Sequence, residues 1–253
     1  MAVLALLATS LSLSDYFTGE QQRLALAGDE AGAMKASRMA VRLDPFDTDA
    51  LQAQSLLWRQ RRNYERATLA LREAIERDPN NYLPYLTLAN LRLMMGEPDA
   101  AVKDFREVLE LNPGATQARS ALARTLMRQG KLREAGAQFE TLKKERSASY
   151  QDLYDLGRIQ VRTGEALEGV KNIKRARRMV EASGALGPQA GSRRQLLVSM
   201  NLAAADALVV AGRVGRAQSI LAQSPSEQAP GLLELLDSDP EAYREQVINS
   251  DVL

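Results

Sequence analysis

Three prolines, Pro45, Pro79 and Pro113, stand 34 residues apart, each behind an Asp or Asn. Proline has no N–H and disfavours helix in the residue before it, so each marks the end of a helix. The same interval separates Gly96, Gly130 and Gly164, with Gly28 two periods earlier and Arg62 in the vacant slot. Five residues past these points come Ala33, Ala67, Ala101, Ala135 and Gly169, all small. Nine residues past them come Ser37, Leu71, Phe105, Phe139 and Ile173, mostly large and apolar. A chain with three registers on one spacing is built from repeats, and its fold must be one in which repeats stack.

One period has enough residues for two helices and a turn. Tyr85, Leu88 and Leu91 fall on one face of a first helix. Gly96 supplies a turn that can adopt positive φ. Pro98 opens a second helix, where a first-turn proline is tolerated. Ala101, Phe105, Val108 and Leu109 follow at helical spacing before Asn112-Pro113 stops the run. A single pair cannot bury its apolar faces, so its neighbours must cover them.

The run Tyr85, Leu88, Ala89, Gly96, Ala101, Phe105, Pro113 resembles the tetratricopeptide repeat (TPR). The likeness is strong over Leu83 to Asn112 and good from Ala50 to Pro79. It weakens at Thr116 to Ser147, where Ser147 replaces the closing proline, and in a degenerate first unit, Asp15 to Pro45. A unit follows from Gln151, and an irregular pair around Leu196 to Leu221 has its glycine, Gly212, 48 residues after Gly164. The interruption, Ser183 to Arg194, reads as a loop. The resemblance implies an all-α fold, a right-handed α-solenoid of about five or six helix–turn–helix units over residues 15–222.

The flanks differ from the repeats. Residues 1–14 carry no charge, yet are shorter than the ~20 residues of a membrane span. They lack the basic start of a signal peptide. A capping helix, an atypical signal or anchor, and the tail of a preceding membrane helix remain open readings. Residues 223–253 hold one basic and seven acidic side chains, against fifteen basic and seven acidic in 119–178. This acidic tail is expected to cap the open end of the solenoid with Leu232, Leu233, Leu235 and Leu236. The competing reading folds it into the basic groove.

With no cysteine and no histidine, the chain cannot form disulfides, Cys/His zinc sites, or a Ser-His or Cys-His catalytic pair. Nothing else in it argues for catalysis or a cofactor, and the expected function is non-catalytic. The TPR resemblance implies a partner, often a peptide, held on the concave face of the first helices. By register that face presents Asn90, Arg124, Arg128, Tyr154, Arg158 and Arg162, with Gln52, Leu56, Arg59, Leu86, Leu93, Ser120 and Met127 around them. Arginine forks suit carboxylates, so acidic peptides or a C-terminal carboxylate are the expected ligands. The carboxylate clamp of some TPR proteins is only half matched. Asn90 and Arg124 fit it, but Gln52, Leu56 and Ser120 stand where Lys, Asn and Lys are wanted. The basic run Lys171 to Glu181 lacks stacking aromatics, so nucleic acid is not the expected partner. RLDPFD after an apolar start also resembles the repeat tails of bacterial O-antigen ligase and polymerase family membrane proteins. That likeness implies membrane association through residues 1–14, with the repeats outside the cytoplasm.

Overall fold

The computed structural model describes residues 2–44, 48–183 and 190–249, the side chains of 2–9, 11 and 190 excepted. Among them every regular element is an α-helix. The chain divides into two compact units, residues 1–118 and 119–253. The first holds α1 (Ala2–Leu26), α2 (Glu30–Leu43), α3 (Thr48–Gln60), α4 (Tyr64–Arg77), α5 (Tyr82–Met94) and α6 (Pro98–Leu111). In chain order there follow α7 (Thr116–Arg128), which begins just before the division, α8 (Leu132–Lys144), α9 (Tyr150–Arg162) and α10 (Ala166–Ala182). The second unit ends with α11 (Ala190–Val210), α12 (Val214–Ala222), α13 (Ala229–Ser238) and α14 (Pro240–Asn249). Each unit is an α-solenoid segment of antiparallel pairs, each packed on the next.

The turn inside each pair from α1/α2 to α11/α12 follows one rule. Gly96 has φ +77°, and Gly28, Gly130, Gly164 and Gly212 are likewise positive. Around Gly96, the Glu97 N–H donates to the Arg92 carbonyl and the Gly96 N–H to the Leu93 carbonyl. This is the Schellman closure, which satisfies carbonyls that the helix end would otherwise leave bare. The vacant glycine slot obeys the same geometry. Arg62 has φ +57°, with Asn63 N–H donating to Trp58 and Arg62 N–H to Arg59. A second arginine, Arg146 at φ +59°, closes α8 in the same way, where Ser147 stands in place of a proline. Where proline is present the exit differs: Asp78 and Asn112 end α4 and α6 by donating their N–H to Ala74 and Val108. Pro45 lies outside the described residues.

The two side-chain registers form the core. Ala33, Ala67, Ala101 and Ala135 are fully buried. Beside them Leu71, Phe105, Phe139 and Ile173 are buried almost completely, and Leu221 extends the row. A buried side chain of this size contributes roughly 1.5–3 kcal/mol through removal of apolar surface from water. At Gly157 and Gly169, α9 and α10 approach so closely that an added Cβ on either would lie under 3.0 Å from the other's carbonyl oxygen.

The chain termini depart from the simple repeat. Helix α1 runs unbroken through position 14, and its buried Ser14 Oγ donates to the Ala40 carbonyl of α2. Most of the side chains behind the anchor reading, those of residues 1–9 and 11, lie outside the described residues. No helix among the described residues is long and apolar enough to cross a membrane. The interruption read as a loop is helical in its last part, because α11 already includes Gly191 to Arg194. The reason is Arg193, whose Nε donates to the Val180 carbonyl at 3.1 Å and whose Nη2 donates to that of Glu181. A side chain of α11 thereby satisfies carbonyls near the end of α10. Residues 184–189 of that interruption lie outside the described residues.

Candidate functional site

In the first unit, Asn90 is exposed on α5, and its Nδ2 donates to the Leu86 carbonyl of the same helix at 2.9 Å. The strong charge pair of this unit lies elsewhere, between α5 and α6. Arg92 Nη1 sits 2.6 Å from both carboxylate oxygens of Asp104. Burial pushes the Asp104 carboxyl up to about 6, against the opposing pull of Arg92.

In the second unit, Arg124 on α7 reaches α9, with Nη2 2.6 Å from Asp152 and Nε 3.3 Å from Asp155. Asp152 is buried and also serves as the third residue of a capping box. It accepts from the backbone N–H and Oγ of Ser149 at the start of α9. Burial raises the Asp155 carboxyl, while Arg124 and Arg158 pull the other way. Arg158 lies over the Tyr154 ring at 5.5 Å, a cation–π contact within one helix. Arg128 is exposed, and Met127, expected on the groove, is buried.

Arg158 and Arg162 line a cleft of about 230 Å³ that reaches across to Asp206 on α11 and Tyr243 on α14. The Tyr243 hydroxyl donates to Asp206 Oδ1 at 2.7 Å. Burial raises both groups, and the hydrogen bond holds Asp206 down while holding Tyr243 up. Asp206 stands six residues before Gly212, as Arg158 does before Gly164, Arg124 before Gly130 and Asn90 before Gly96. It therefore belongs to the same first-helix register, which sequence reasoning stopped one unit short of applying. Asp152 and Asp155 were missed for another reason. They pair with Arg124 across 28 and 31 residues, just under one period, where facing turns of successive first helices meet.

Paired helices closed by left-handed turns, with small residues at the crossings and polar first-helix positions, define a helical-hairpin repeat protein. The helix pairs of residues 70–157 are tetratricopeptide repeats: family models for that repeat match residues 70–103 and 92–157. Among curated proteins the chain is similar to the tetratricopeptide repeat and J domain-containing co-chaperone DNJ1 of Cryptococcus neoformans. The two are 37% identical over 106 residues, 42% of this chain and 20% of that protein. The chain thus spans about a fifth of that relative's length. In fold it is similar to pilF of Pseudomonas aeruginosa, with a TM-score of 0.62 at 15% identity over 85% of this chain and 91% of that one. It is also similar in fold to YrrB, described as a TPR protein with an unusual peptide-binding site. There the TM-score is 0.54 at 18% identity, covering 64% of this chain and 84% of that one. These comparisons add no support to the O-antigen ligase likeness.

Proposed function

We propose that this chain is a non-catalytic scaffold that holds an acidic protein segment on the first-helix face of its second unit. The observation that carries the reading is the pair Arg158 and Arg162. Both edge a cleft and Arg158 lies on a tyrosine ring, while Arg124 of the same register is taken up by Asp152 and Asp155. Cations held in this way lose less entropy on binding than free surface side chains, which favours a specific contact over a merely solvated face. The DNJ1 likeness supports a protein-interaction role, and YrrB shows that a chain of this fold can carry a peptide site. Neither names the partner.

Reversing Arg124 would leave the buried Asp152 without its cation, so charge reversal there confounds binding with unfolding. The cleaner variants are Arg158→Gln and Arg162→Gln. Fluorescence anisotropy with matched acidic and basic peptides should show preference for the acidic set, lost in the double variant while its circular dichroism is unchanged. Equal binding of both sets, or full retention by a folded double variant, would refute the assignment.

A further inference from the structure

The acidic tail divides its labour between two helices. Helix α13 is the cap: Ala229 and Leu236 are buried in the same core as Ala217 and Leu221 of α12. Helix α14 packs on both α11 and α13, with Tyr243 in that same core. There Tyr243 bonds Asp206, a residue in the partner-facing register, and lines the cleft opposite Arg158 and Arg162. Val247, four residues on and so on the same helical face, also lines it. The hold is slight. Tyr243 is the one fully buried side chain of α14 and Val247 is half-buried, whereas Glu241, Arg244, Glu245, Gln246 and Ile248 are exposed. The cleft of about 230 Å³ remains open beside them. Few buried contacts and much exposed backbone are what make a segment open locally. Its own charge is −1, with Glu241 and Glu245 against Arg244, opposite the basic stretch 119–178.

We propose that α14 is an intramolecular occupant of the partner groove, filling the place of an acidic amphipathic helix with an aromatic residue and, four positions on, an aliphatic one. This rests on the reading of the groove given above and adds the form of its ligand and the step that exposes it. A tethered segment competes at high effective concentration, so a free helix wins only by filling the cleft better than Tyr243 and Val247 do. The partner helix then replaces α14 while α13 stays as the cap.

The probe is a labelled synthetic peptide of residues 229–249, added to the full chain. Wild type should bind it weakly, and a full chain carrying Tyr243→Ala with Val247→Ala should bind it at least ~10-fold tighter, because its internal competitor is weakened. Equal affinity for the two chains, or no binding to a folded variant, overturns the proposal. Hydrogen exchange on wild type decides the matter should the variant fail to fold. Amides of 244–249 exchanging at least ~10-fold faster than those of 153–161 support a displaceable α14, and equal rates make it permanent core. Neither measurement uses the charge-matched peptide sets, so failure here leaves the acidic-segment reading standing.

Discussion

Arg62 occupies a slot that glycine fills in five other turns, which makes Arg62→Gly a direct test of how the repeat closes. At φ +57° its Cβ crowds the neighbouring carbonyl, a strain of roughly 1–2 kcal/mol for an L-residue. Glycine relieves that strain but loses about 0.5–1 kcal/mol more conformational entropy on folding. The difference predicts a gain of about 0.5–1 kcal/mol. Arg62 is exposed, and the ordered charges beside it belong to its neighbours. Arg61 bonds Glu30 at 3.0 Å, and Arg61 and Arg66 both lie over Trp58, so the substitution leaves these contacts in place. For a chain of this size the gain is worth roughly 1–4 °C in Tm. The assay is thermal unfolding followed by circular dichroism, with Gly96→Arg as the reciprocal change and an expected loss of similar size. A destabilised Arg62→Gly, or a neutral Gly96→Arg, would show that the turns are not governed by left-handed strain.

Gly169→Ala should destabilise by about 1–3 kcal/mol in urea unfolding, because its Cβ would meet the Gly157 carbonyl oxygen at 2.6 Å and backbone cannot step aside cheaply. Gly191→Ala, with nothing within 4 Å, is the control and should be neutral or stabilising. The Asp104 carboxyl, raised from 3.8 to about 6, holds its proton more tightly in the folded state than in the unfolded. Its contribution is therefore greatest below about pH 4 and is lost as pH rises through about 6, at most about 3 kcal/mol. Wild-type stability relative to Asp104→Asn should fall across that window in urea titrations. A rise instead would mean that the Arg92 pair outweighs burial.

The parts of this fold that were legible beforehand are those set within one turn or one period. Gly96 and Pro98 encode a turn and a helix start through their own backbone limits. Ala101 and Phe105 encode a close crossing and its filler through size alone. Even Arg62, as an exception to the glycine rule, marked its turn correctly. What escaped notice depends on side chains reaching between helices. The polar composition around Gly191 and Ser192 suggested a loop, but Arg193 bonds the end of α10 and is itself helical. Arg124 read as a free cation because its two carboxylates lie on another helix. In the tail, leucine content pointed to α13, while the weakly hydrophobic α14 carried the tyrosine that meets Asp206.

The cross-helix bonds described above join residues that are near in sequence: 12 apart for Arg92 and Asp104, 28 for Arg124 and Asp152, 37 for Asp206 and Tyr243. Contacts of this kind close short loops, so little chain entropy is spent before the first packed pair rewards it. Folding can therefore nucleate at any hairpin and spread outward. The perfected turns of residues 83–130 are natural starting points, and α14, whose bond to Asp206 has the longest of these reaches, is a natural last arrival.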